Sequence, residues 1–216
     1  MLYTDKISGT TISGTDGIKG KHFEQNLAEN CSEISKEITN SKYKFRPYKE
    51  KLILKGRNKS PRIISIPTVR DRLVLRAIFE LLRTEFKAET EQVRPQKIIS
   101  NVKCVDEKSF INVTRIDLKD FYGSINHKVL KKKLAARIKQ KHVLELIMDA
   151  ISNPTVAPGE NSKDSAKVTR GVPQGLSISN SLAAIYLSEF DSHFKDNANY
   201  KFFRYVDDIL GSGLIN

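Results

Sequence analysis

Along the chain, apolar residues fall into helical stretches, short extended runs and polar breaks. From Lys21, residues Phe23, Leu27, Cys31, Ile34 and Ile38 lie four, four, three and four positions apart, which predicts a helix with one packing face. Residues 8–20 before it are rich in Gly, Ser and Thr and read as a glycine-jointed extended lead-in. No Gly-Lys-Ser/Thr follows, so this is not a phosphate-cradling P-loop. Tyr43, Phe45, Tyr48, Leu52, Ile53 and Leu54 predict one extended run, and Ile63, Ile64 and Ile66 a second, ended by Pro67. Gly56 to Ser60 reads as the hairpin loop between them. Residues 70–88 predict a helix, with Leu73, Val74, Ala77, Ile78, Leu81 and Leu82 as its stripe. Arg94-Pro95-Gln96 is expected to break any helix, and 89–112 has no clean period.

The second half is more regular. Val113 to Leu118 predicts a strand, and Asn126 can cap a helix burying Val129, Leu130, Leu134 and Ile138. A further helix is expected over His142 to Ile151, then a polar loop over 153–169. Arg170-Gly171-Val172-Pro173-Gln174-Gly175 reads as a rigid turn, its glycines placed where backbone comes close to something. Ser179 or Asn180 caps a helix carrying Leu182, Ala183, Ile185, Tyr186, Leu187 and Phe190. The last stretch, Phe202 to Leu210, predicts a β-hairpin with Asp207 and Asp208 at its tip. Adjacent acids repel unless cations share them, so a divalent-metal site and a solvated turn are both readings of this pair. The second strand, near Ile209 to Ile215, is expected to be the least secure part.

Charge narrows the choice of partners. The chain has 216 residues, with 37 Lys+Arg against 25 Asp+Glu and a formal net charge of +12. Such an excess suits a polyanion, because bound cations release counterions from nucleic acid. The cations are spread along the chain, which points to a basic face on a folded body. Lys49, Lys51, Lys55, Arg57, Lys59 and Arg62 cluster on the first hairpin. Phosphate contact and defence of a sheet edge account for them equally. Cys31 and Cys104 have no metal-ligand spacing, and a reduced, intracellular protein is the expectation. His127 and His142 also lack a partner at such spacing and read as structural or surface residues. No signal peptide, membrane-spanning run or internal repeat is evident.

Asp117 ends the strand predicted over 113–118 and lies 90 positions before Asp207. If those strands are neighbours, three carboxylates meet at one sheet edge, a donor set suited to Mg²⁺ and nucleotidyl transfer.

Four segments in order carry a family resemblance. Arg62-Ile63-Ile64-Ser65-Ile66-Pro67 resembles the fingers motif of bacterial reverse transcriptases. Ile116 to His127 resembles their first palm motif, and Gly171 to Ser179 their Pro-Gln-Gly motif. Tyr205-Val206-Asp207-Asp208 matches the catalytic hairpin. Gly14-Thr15-Asp16-Gly17 and Pro67 to Arg72 look most like group II intron-type and related enzymes, antiphage defence reverse transcriptases included.

The resemblance implies an α+β right-hand polymerase, with an antiparallel palm sheet packed on helices. Residues 1–110, together with part of 140–170, would form an N-terminal extension and fingers, and 111–216 the palm. The chain stops soon after the hairpin, so a thumb is expected to be absent and the activity of this chain alone is open. Asp117, Asp207 and Asp208 would hold two Mg²⁺, or Mn²⁺ as a substitute, with the Leu118 carbonyl as an extra ligand. Arg62, with Lys55 or Lys59, would grip the incoming triphosphate. Tyr122 would be a steric gate against ribose, and Gln174 would line the nucleotide pocket. Arg170, Gly171, Pro173, Gly175 and Tyr205 would lie near template or primer. The implied partners are an RNA template, a DNA or RNA primer and dNTPs, with a dedicated structured RNA as a further candidate and no membrane. A cytoplasmic, bacterial setting follows, while intron mobility, retron synthesis, diversity generation and phage defence stay open. A nucleic-acid-binding module without chemistry and an RNA polymerase with a related palm are the alternatives.

Overall fold

The computed structural model describes residues 12–57, 60–91, 95–104, 110–159, 167–195 and 200–214. The expected first helix is split at Asn26, where the backbone turns to φ −121° and ψ 38°. The pieces are α1 (Gly20–Gln25) and α2 (Leu27–Thr39), and the Asn30 amide takes up the Phe23 carbonyl at the break. The anticipated face survives in part, since Phe23 and Ile34 are buried.

Strand β1 (Tyr48–Ile53) begins only after Pro47, so Tyr43 and Phe45 precede it instead of belonging to it. It pairs antiparallel with β2 (Arg62–Ile66), with Ile53 opposite Arg62. Helix α3 (Val69–Glu85) follows at once, capped by Thr68, whose hydroxyl oxygen accepts the Asp71 amide proton. Short helix α4 (Lys87–Glu91) comes next, then α5 (Pro95–Lys103). Pro95 therefore opens a helix instead of breaking one. At the first helical position its missing N–H has no partner to lose.

Strand β3 (Phe110–Asp117) leads into a single turn, α6 (Phe121–Ser124), and then α7 (His127–Arg137). The Asn126 side chain caps α7, accepting from the Lys128 and Val129 amides at 2.9 and 3.2 Å. Leu130, Leu134 and Ile138 are buried, but Val129 faces outward at 44 % exposure. Its position in the first turn rotates it off the core face. Helix α8 (Lys141–Ser152) is followed by β4 (Thr155–Val156), a two-residue strand inside the stretch expected to be loop. β4 joins β1 in parallel, Tyr48 opposite Thr155, which completes a sheet of order β2-β1-β4.

Helix α9 (Ser179–Lys195) is central to the remainder, with Leu182, Ala183, Ala184 and Ile185 fully buried. Ser179 is its first residue and not its cap, and the Ser179 hydroxyl donates to the Pro173 carbonyl at 2.6 Å. Strands β5 (Tyr200–Tyr205) and β6 (Asp208–Leu214) close the chain in a second, antiparallel sheet of order β3-β6-β5. β6 is thus the middle strand, hydrogen-bonded on both sides, which supports Ile209 to Leu214 of the segment expected to be least secure; Ile215 lies outside the described residues. Among the described residues, no helix is long and apolar enough to cross a membrane.

Candidate active site

The second sheet brings two of the three acids face to face. β3 and β6 run antiparallel with Asp117 opposite Asp208. Cross-strand partners have Cα atoms about 4.5–5.5 Å apart, and like charges placed so oppose the pairing. Arg115, two residues back on β3, offsets part of that repulsion. Its Nη2 and Nε reach Asp208 Oδ1 at 2.8 and 3.3 Å, and this contact holds the guanidinium more firmly protonated.

The hairpin turn differs from the expected one. Tyr205 pairs with Asp208, so the tip is Val206-Asp207 and Asp208 belongs to β6. Tight two-residue turns need positive φ, usually from Gly or Asn. Here Val206 adopts φ +57°, a conformation that costs a β-branched residue about 1–3 kcal/mol. The turn is held from three sides. Val206 is buried; its carbonyl accepts from Arg204 Nη1 at 2.8 Å; the Asp207 carbonyl accepts from the Leu118 amide at 3.2 Å. Arg204 is itself buried and ion-paired with Asp191 of α9.

Asp207 and Asp208 line a cleft of about 370 Å³ with Arg62, Ile64, Tyr122, Gln174, Gly175, Ser179, Asn180, Tyr205 and Val206. Arg62 comes from β2, Tyr122 from α6, and Gln174 and Gly175 from the turn before α9. That turn is fastened to both neighbours. The Ser65 amide donates to the Gln174 carbonyl at 2.7 Å. A Cβ on Gly175 would lie 2.7 Å from Ile64 Cγ2, and its φ of +102° also favours glycine. On the other side the Gly171 amide donates to the Ile125 carbonyl, and the Val172 amide to the Tyr122 carbonyl, both at 2.8 Å. Arg170 donates to the Ser124 carbonyl, and His127 Nε2 to the Gly171 carbonyl at 2.6 Å.

Of the residues singled out in the sequence, Arg62, Tyr122, Gln174, Gly175, Tyr205, Asp207 and Asp208 therefore share one cleft. Asp117 and Leu118 sit at its edge, beside the hairpin and outside the lining. Arg170, Gly171 and Pro173 fasten the turn from outside the cleft. Lys55 is exposed beyond the end of β1 and does not line it. Lys59 lies outside the described residues. Burial, then the nearby Asp207 and Tyr205, push the Tyr122 phenol up to about 12, so it stays a proton donor at neutral pH.

The donor chemistry fits a hard divalent cation. Mg²⁺ is usually held by one or two carboxylates and completes its shell with water and substrate phosphates. Among the described residues no group of three or more acids, histidines or cysteines stands close enough to hold a metal ion, so the three carboxylates expected to meet at one sheet edge are not gathered into one donor set. What the fold provides is the Asp117–Asp208 pair across the strands, with Asp207 at the adjoining turn.

A family model described as reverse transcriptase (RNA-dependent DNA polymerase) matches residues 49–212. The chain belongs to that family.

The reverse transcriptase match is accompanied by diverged relatives. Protein YkfC of Escherichia coli (strain K12) is 24 % identical over 200 residues, covering 87 % of this chain and 51 % of YkfC. The group II intron-encoded protein LtrA of Lactococcus lactis subsp. cremoris is 25 % identical over 186 residues, covering 83 % of this chain and 30 % of LtrA. The chain thus spans about half, or less, of the length of these relatives. A telomerase from Candida albicans, solved in complex with a TWJ fragment of telomeric RNA, superposes with a TM-score of 0.52 at 16 % identity. That match covers 90 % of this chain and 41 % of the telomerase, and it is a likeness of fold. The α+β architecture is that of a polymerase fingers–palm unit.

Three residues that shape or brace this cleft carry no assigned part in it from the sequence. Arg204 was hidden in an apolar strand, where only its position two residues before the turn marks it. Arg115 is separated from Asp208 by 93 positions, and only strand register joins them. Asn180 was read as a helix cap, but its side chain faces Tyr122.

Proposed function

We propose that the chain is the fingers and palm of an RNA-directed DNA polymerase that adds dNTPs to a primer on an RNA template. Fingers are residues 1–110 with part of 140–170, and the palm is 111–216. The observation that carries this reading is the register of Asp117 opposite Asp208, at the edge of a cleft that also holds Asp207, Arg62, Tyr122 and Gln174. Clustered acids beside a basic surface make no sense for a passive binder of polyanions, whereas phosphoryl transfer needs both charges.

Asp117, Asp207 and Asp208 would hold two Mg²⁺, with the Leu118 carbonyl beside them; such ions would supply charge neutralisation at the triphosphate and at the primer hydroxyl. Arg62 grips the triphosphate from the β2 side, and Gln174 bounds the base and sugar. Tyr122 presents its ring where a ribose 2′-hydroxyl would sit, which favours deoxynucleotides. The basic face tracks the template–primer backbone through salt-sensitive contacts. Arg115 would balance the charge of Asp208 while the site holds no cation.

Single-nucleotide incorporation on an RNA template tests this in the full-length protein. Asp207→Ala combined with Asp208→Ala is expected to lower incorporation by at least about 10³-fold. Undiminished incorporation, or preference for rNTPs, would overturn the reading.

A further inference from the structure

Tyr122 is gripped at both ends. Its carbonyl accepts the Val172 amide proton at 2.8 Å, and its hydroxyl donates to Asn180 Oδ1 at 2.6 Å. The ring packs obliquely on Phe121, with centroids 5.5 Å apart. Asn180 is the second residue of α9, a helix fixed by buried Leu182, Ala183 and Ile185 and by the Ser179–Pro173 hydrogen bond. Asn180 also borders a second groove, of about 580 Å³, lined by Arg76, Phe79, Ser177 and Ser181 among others. It is therefore part of the wall between that groove and the cleft. An aromatic ring has two torsions, and packing on one neighbour limits only part of their range. The hydrogen bond to a residue on a rigid helix fixes the remainder.

We infer that Asn180 is a positioning residue for sugar discrimination: by accepting the Tyr122 hydroxyl proton it holds the ring at the angle that excludes a 2′-hydroxyl. This rests on the proposed polymerase reading and deepens it. The Asn180 side chain is engaged by the Tyr122 hydroxyl, and it acts through the tyrosine. Without the acceptor, the ring can turn toward the neighbouring groove and the pocket admits ribose.

The test is the ratio of kcat/KM for a dNTP over the matching rNTP, measured in the full-length protein on an RNA template. Asn180→Leu is expected to lower this ratio roughly three- to tenfold, the range of one net hydrogen bond. Tyr122→Phe keeps the ring and removes the donor, so it should lower the ratio by the same factor. The double variant should lose no more than either single one, because both remove one interaction. Asn180→Asp keeps an acceptor and should retain most of the discrimination. Thermal unfolding of each variant separates misfolding from a changed pocket. An unchanged ratio in folded Asn180→Leu overturns the inference, as do multiplicative losses in the double variant or an equal loss in Asn180→Asp. If the unmodified protein incorporates neither nucleotide, the polymerase reading falls and this inference falls with it.

Discussion

The molecule contains two antiparallel hairpins that look alike in sequence and are held in opposite ways. β1–β2 is fixed at its root and free at its tip. Tyr48 is fully buried and Ser65 nearly so, while Leu52, Leu54 and Ile63 are 52, 83 and 50 % exposed. The β5–β6 hairpin is fixed at its tip, where Val206 and Ile209 are buried and Arg204 braces the turn. The difference follows from what surrounds each tip: β1–β2 leaves its outer residues in solvent, whereas the β5–β6 turn adjoins carboxylates that face one another across a strand pair and is braced from beneath by Arg204.

The contrast is broken most severely at the brace. Arg204→Met removes the cation from Asp191 and leaves a nearly buried carboxylate unpaired. A loss of about 3–5 kcal/mol is expected from urea unfolding. A loss below about 1 kcal/mol would mean that the tip is not held from beneath.

The root of the other hairpin comes next. Asp71 is buried and accepts from the Tyr43 hydroxyl at 2.7 Å, the Thr68 hydroxyl at 2.7 Å and the Arg46 amide at 3.3 Å. These donors flank β1 and β2. Asp71→Asn turns an amide donor toward them and should cost about 1–3 kcal/mol. Burial raises the Asp71 carboxyl above its ordinary value of 3.8, against the pull of its hydrogen-bond donors. The folded state therefore binds the proton more tightly than the unfolded chain. The Asp71 contribution to stability is fully present below 3.8 and declines as pH rises through the raised folded value. Unfolding curves across the acid range should show this decline in the parent and its absence in the variant.

The smallest effect belongs to the free tip. Leu54→Ser, at 83 % exposure, should change stability by no more than about 0.5 kcal/mol. A larger loss would show that the tip is packed after all.

Periodicity made the longer helices outside 89–112 and both hairpins legible, because burial on one face leaves a repeating mark, while α5 lies in a stretch without a clean period. It failed where a few residues are governed by distant partners. β4 is two residues long and exists only because β1 lies beside it. Pro95 read as a breaker, since its meaning depends on which end of a helix it occupies. In the candidate site, Asp207, Asp208, Tyr122 and Gln174 were legible as motif positions. The one-residue displacement of the turn was not, because propensity argues against a valine at positive φ and only tertiary bracing overrides it. Asn180 and Arg115 carry no local signal, because their partners are 58 and 93 positions away.

The hydrogen bond between the Ser65 amide and the Gln174 carbonyl also bears on how such a hand could close. With Gly175 pressed against Ile64, it welds the inner end of β2 to the floor of the cleft. Rocking the whole ribbon about its base would tear that weld. The ladder ends at the Ile53–Arg62 pair, so Arg62 stands at the far end of a strand whose inner end is anchored. On the proposed function, Arg62 then meets its substrate from a base that the cleft floor itself holds in place.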